Sequence, residues 1–176
     1  LGLPYRSAGS FCGSKLPDAQ AAYETANSLN MGLLSGVNFM LHSCGWLEGG
    51  LVASFEKFVM DADQLGTLHK FAKGIANDEN AQAMDAIEEV GPSGHYLGCA
   101  HTQANFKEAF WRSELFDYKP FETWEDAGAR DTKDLASARV AKLLSDYRQP
   151  VLDPAIEQAL RDYVADKKAS MPDAFT

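Results

Sequence analysis

Two short apolar runs, residues 1–7 (LGLPYRS) and 37–42 (VNFMLH), bracket a helical stretch, and this arrangement constrains the fold more than any other feature. Parallel strands need a crossover of a dozen or more residues, usually a helix, and such crossovers are right-handed in nearly all folds. The stretch between the runs carries Ala19, Ala22, Tyr23, Ala26, Leu29 and Leu33 at helical spacing. Asp18 is its expected N-cap, Pro17 holds the entry, and Gly36 ends it. The second run is apolar on both sides of its pleat, as buried parallel strands are. Both runs end in a cationic or ionisable side chain, Arg6 and His42. The pattern resembles the last two turns of a parallel α/β barrel, in which functional residues stand at the carboxyl ends of strands. A complete barrel takes about 250 residues, so a chain of 176 is expected to supply only its closing portion.

Downstream, Ser43 to Gly50 reads as a glycine-flanked turn. Ser54 is expected to cap a strong helix whose apolar face is Phe55, Phe58, Val59, Ala62, Leu65, Leu68, Phe71, Ala72 and Ile75. A shorter helix over residues 80–90 stops at Gly91-Pro92. Residues 95–102 (HYLGCAHT) suit a short strand or an extended loop equally, and 103–111 look helical. Residues 115–124 are aromatic and irregular, suited to packing over the barrel's end or against another chain. Two charged helices, near residues 131–147 and 153–168, close the chain, and the second opens on an Asp153 cap followed by Pro154. The expected organisation is one domain. Residues 1–128 hold the last βα units and the aromatic segment, and 129–176 hold additional C-terminal helices.

Charge and composition exclude several functions. A formal charge of -9 and a pI near 4.8, with no Lys/Arg cluster, argue against nucleic acid. No apolar run approaches the roughly 20 residues of a membrane-spanning helix, so no membrane partner is expected. Cys12, Cys44 and Cys99 are odd in number and widely spaced, which fits reduced thiols in a cytoplasmic protein.

Three residues stand out as substrate-binding candidates: Arg6, His42 and Trp46. A fixed guanidinium at Arg6 would hold a carboxylate through two parallel hydrogen bonds, against the alternative of a structural bridge to a carboxylate such as Asp18. His42 suits a hydrogen-bond donor or cation near an anionic group, or a buried imidazole satisfied by backbone. Trp46 can offer a ring face to a quaternary ammonium, or simply pack on the core. Glu48 reads better as a structural cap than as a ligand. His95, Cys99 and His101 are metal-capable, yet three such residues within seven, without CxxC or HExxH, favour a structural turn over zinc. No metal site is expected, and no catalytic residue emerges from the sequence.

Longer motifs carry a more specific likeness. Residues 13–24 (GSKLPDAQAAYE), 36–51 (GVNFMLHSCGWLEGGL), 54–63 (SFEKFVMDAD) and 88–102 (EEVGPSGHYLGCAHT) resemble the carboxyl-terminal part of the trimethylamine methyltransferase family. Residues 122–128 (ETWEDAG) and 150–160 (PVLDPAIEQAL) agree with it. The resemblance implies an α/β fold, the C-terminal portion of a TIM (β/α)8 barrel, helix-rich with extra C-terminal helices. It implies an enzyme that passes a methyl group from a methylated or quaternary amine to a Co(I) corrinoid (cobalamin) on a partner protein. None of that cofactor is expected on this chain, which has no DxHxxG corrinoid motif. Trimethylamine-specific members carry pyrrolysine, and this sequence shows only standard residues. Members without it resemble quaternary-amine demethylases acting on glycine betaine, whose carboxylate would suit Arg6 and His42. An open sheet edge also leads to an expected homo-oligomer. Two other readings compete. One is a non-catalytic barrel fragment serving as a binding or oligomerisation module. The other is a zinc-dependent thiol methyltransferase, disfavoured by the lack of paired cysteines.

Overall fold

Arg6–Ala8 (β1) and Phe39–Leu41 (β2) pair in parallel, with Arg6 beside Phe39 and Ala8 beside Leu41. Ala19–Leu34 (α1) links them, so the expected β-α-β crossover is present. The computed structural model describes residues 2–171. Helix α1 begins where its sequence directs: the Asp18 side chain accepts from the Ala21 N–H, and Ser14 Oγ donates to the same carboxylate at 2.8 Å. These two bonds hold the Asp18 carboxyl below its ordinary range.

Beyond β2 the chain folds into a small hairpin, Trp46–Leu47 (β3) against Val52–Ala53 (β4), joined by a 3-10 turn at Glu48–Gly50. Ser54 then caps Phe55–Ala72 (α2), its hydroxyl accepting from Lys57 N–H at 3.2 Å. The helix starts at its expected cap but ends at Ala72, short of Ile75, and its buried face is not the expected one. Phe55 and Phe71 are each 67% exposed and Ile75 is 99% exposed, while Lys57 (1%) and Asp61 (4%) are buried. The apolar stripe is only partly covered, with Val59, Leu65 and Leu68 half-buried and Trp111 lying against Gly66, whereas the polar flank lies against α1 and the loop after β1.

Other elements depart from the expected pattern. The helix expected over residues 80–90 is two pieces, Glu79–Gln82 (α3) and Met84–Val90 (α4), broken because Ala83 adopts a left-handed conformation at φ 52°. Residues 95–99 make no strand. Helix Ala100–Asn105 (α5) starts earlier than periodicity suggests and ends at a turn. The aromatic segment is irregular up to Pro120, where Phe121–Asp126 (α6) begins. Helices Thr132–Asp146 (α7) and Pro154–Ser170 (α8) match the two expected C-terminal helices, and Asp153 caps the second through the N–H groups of Ala155 and Ile156.

The chain divides into two compact units, Leu1–Lys142 and the part from Leu143 onward. The first holds both sheets and the small core around Cys12, Ala21 and Leu47. The second is helical. The molecule is therefore a helix-rich α/β structure, and among the described residues no helix is long and apolar enough to cross a membrane.

Candidate functional site

Two loops leave the carboxyl ends of β1 and β2, and backbone hydrogen bonds clip them together. Gly9 N–H donates to Leu41 O at 3.0 Å and Ser10 N–H to His42 O at 2.8 Å, extending the parallel ladder past the strands. Ser10 Oγ adds a second bond to His42 O at 3.1 Å. Farther along, Cys12 Sγ donates to Trp46 O at 3.2 Å. Gly49 N–H bonds Cys12 O at 2.7 Å and Glu48 N–H bonds Ser14 O at 2.9 Å.

This clipping gathers three rings. Phe11 lies 4.9 Å from His42 and 5.6 Å from Trp46, and His42 lies 5.5 Å from Trp46, edge to face. Gly50 makes room for Phe11: a Cβ there would come within 2.2 Å of the phenyl ring. His42 is half-buried, sits at φ 52°, and its imidazole makes no hydrogen bond among the described residues. It is a ring with polar atoms to spare, beside two rings without charge.

Behind the rings lies a buried polar knot. Lys57 Nζ donates to Asp61 Oδ2 at 2.6 Å, to Thr25 Oγ1 at 2.9 Å and to Ser10 O at 3.3 Å. Asp61 Oδ2 also accepts from Gly45 N–H at 2.8 Å. Every buried side-chain polar atom of the knot has a partner, as buried polar groups require. Burial pushes the Asp61 carboxyl up, against the opposing pull of Lys57 and the Gly45 N–H. Burial likewise pushes the half-buried Cys44 thiol up to about 11, helped by the Asp61 charge. Cys12 is raised for the same reason. Neither thiol is prepared to act as a nucleophile.

Of the three candidates read from sequence, the structure brings His42 and Trp46 together and sets Arg6 apart. Arg6 opens β1 instead of following it and is exposed. With Arg6 beside Phe39, it stands three residues before His42 along the ladder, about 10 Å at the usual strand rise. The shared strand end expected for the guanidinium and imidazole is thus corrected. The sequence run 1–7 was apolar at Leu1 and Leu3, but the ladder begins only at Arg6. Asp18, its suggested partner, is engaged by Ser14 and Ala21 instead. His101 Nε2 lies 2.7 Å from Asn80 O and Cys99 Sγ 3.2 Å from Thr102 Oγ1, a structural turn. No metal-binding group occurs among the described residues. Phe11 and the Lys57–Asp61 pair escaped the sequence reading. The Gly49-Gly50 pair was the one local hint that something packs on that turn.

The model of the trimethylamine methyltransferase family matches residues 1–172. The chain belongs to this family. A glycine betaine methyltransferase of Desulfitobacterium hafniense (strain Y51) is 41% identical over 166 residues, covering 94% of this chain and 34% of that protein. The trimethylamine methyltransferase MttB of Desulfitobacterium hafniense (strain DSM 10664 / DCB-2) is 31% identical, covering 92% of this chain and 32% of its own length. MttB of Methanosarcina barkeri (strain Fusaro / DSM 804) is also 31% identical, over 94% of this chain and 34% of that protein. The chain spans about a third of the length of these curated relatives.

Proposed function

We propose that the chain is the closing part of a TIM-barrel methyltransferase that takes a methyl group from a quaternary amine of the glycine betaine type. The observation that carries this reading is the Phe11, His42 and Trp46 cluster at the carboxyl ends of two parallel strands. That is where barrel enzymes place their sites. Greater identity to the betaine enzyme (41%) than to the trimethylamine enzymes (31%) supports the choice of amine.

The rings lie too close to one another to admit a ligand between them, so a trimethylammonium group rests on their common outer surface. Trp46 and Phe11 attract its charge through their ring faces. The imidazole of His42, without a hydrogen-bond partner among the described residues, donates to the carboxylate. Arg6 has no part in this arrangement. The methyl acceptor is a Co(I) corrinoid carried by a partner protein, which supplies the nucleophile when it docks. The amine nitrogen leaves neutral and needs no proton, so the chain has no acid or base to provide. A site of rings, one imidazole and two protonated thiols suits that division of labour. Its contribution is orientation, which reaches about 7–11 kcal/mol in favourable intramolecular systems.

The test uses the complete protein and two ligands of nearly equal shape, glycine betaine and its uncharged-carbon isostere 3,3-dimethylbutanoate. A desolvated cation–π contact contributes about 2 kcal/mol, roughly thirtyfold in affinity. Trp46→Leu is expected to weaken betaine binding by tenfold or more in calorimetry and to leave the isostere within about threefold. Equal losses for both ligands, or none, would refute the reading.

A further inference from the structure

We propose that Lys57 and Asp61 are positioning residues that set the Phe11 and Trp46 rings in place. The proposal rests on the ring cluster being the amine site. Its basis is which backbone atoms the pair grips. Lys57 Nζ bonds Ser10 O, and Ser10 immediately precedes Phe11. Asp61 Oδ2 bonds Gly45 N–H, and Gly45 immediately precedes Trp46. Ser10 in turn bonds His42 O twice. One buried pair, four residues apart on α2, therefore ties down both strand-end loops at the residue before each ring. Thr25 completes the set from α1, so the reference frame is the two helices α1 and α2 and not the loops themselves.

Stability alone does not account for such a pair. Exchanging a buried ion pair for apolar residues of similar volume is often neutral or favourable to stability. What apolar residues do not supply is direction, because they leave the Ser10 carbonyl and the Gly45 N–H without a fixed partner. The loops then choose among several arrangements, and the rings move with them.

Two variants of the complete protein separate these roles, and both avoid an unpaired buried charge. Lys57→Met/Asp61→Asn cuts the Ser10 tether and keeps an acceptor for Gly45. Lys57→Met/Asp61→Leu cuts both. Each is labelled with 5-fluorotryptophan, and the Trp46 resonance is assigned by its loss in Trp46→Phe. The fluorine spectrum reports ring order without any ligand, and calorimetry with glycine betaine reports the site. The Asn variant is expected to retain a sharp Trp46 line and lose three- to tenfold in betaine affinity. The Leu variant is expected to broaden or shift that line and lose more than tenfold, beyond what its change in melting temperature accounts for. An unmoved Trp46 line in the Leu variant overturns the proposal. So does a loss of affinity that merely follows the melting temperature. Should the Leu variant not fold, the Asn variant decides: unchanged betaine affinity overturns the proposal. A parent protein that binds no betaine defeats the amine reading instead, and the fluorine line still judges the positioning role.

Discussion

Replacing Gly45 by alanine strains the loop at the point where it carries Trp46. Gly45 sits at φ +83°, a left-handed conformation that costs an L residue about 1–2 kcal/mol. Its added Cβ would stand 3.1 Å from Phe58 Cβ and 3.3 Å from both Phe58 Cδ2 and Ser54 O. None of these is the end of a flexible side chain, so the contact is relieved only by moving the loop. The loop is held on both sides of Gly45, by its N–H on Asp61 and by Ser54 N–H on its carbonyl at 2.9 Å. Overpacking of this kind costs typically about 1–3 kcal/mol. Loss of glycine's freedom in the unfolded chain returns about 0.4–1 kcal/mol. The net expectation is about 1–5 kcal/mol, centred near about 3 kcal/mol. Gly36 offers the control, since it also lies at positive φ (+72°) but a Cβ added there would have nothing within 4 Å. Gly36→Ala should therefore cost only the conformational share, about 1 kcal/mol. Urea denaturation of the two variants, compared at equal slope, measures the difference. If Gly36→Ala proves as harmful as Gly45→Ala, the crowding by Phe58 and Ser54 is not the cause.

Three shorter expectations follow from the same geometry. Ser54→Ala removes the cap of α2 and should lower stability by about 1 kcal/mol, with Ser54→Asp restoring most of it in the same denaturation experiment. A Cys44 thiol at about 11 is ionised to less than about 1% at pH 8.5, so iodoacetamide should label it at least tenfold more slowly in the folded than in the urea-unfolded protein. Because a raised thiol pKa favours the protonated form, that protection should shrink as pH climbs toward 11, and peptide mass spectrometry giving equal rates at pH 8.5 would contradict it. Phe11→Ala should weaken betaine binding in calorimetry as Trp46→Leu does, whereas Arg6→Ala should leave it within about threefold. A large Arg6 effect would return the guanidinium to the site.

Local signals carried the helices well. Asp18, Ser54 and Asp153 cap where the sequence places caps, because capping depends on residues a few positions apart. The parallel crossover was legible from two apolar runs and the helix between them. The strand ends were not, since the ladder starts at Arg6 and a period of two residues does not fix where pairing begins. On α2 the phenylalanine stripe misled. Lys57 and Asp61 lie outside the apolar face read from the sequence, and their burial is secured by Thr25, Ser10 and Gly45, all distant in sequence. The site was half visible for the same reason. Trp46 and His42 stand four residues apart in sequence, but Phe11 reaches them only through the clipping of a second loop and the space left at Gly50.

The left-handed backbone at His42 also limits what mutagenesis can obtain there. Only a short menu of amino acids tolerates φ near 52°, chiefly Gly, Asn, Asp and His. In a saturation library at position 42, residues outside that menu carry an added backbone cost of about 1–2 kcal/mol, so the library is biased before any selection for ligand preference. Positions 11 and 46, free of positive φ, carry no such restriction, and the proposed amine site can be varied there.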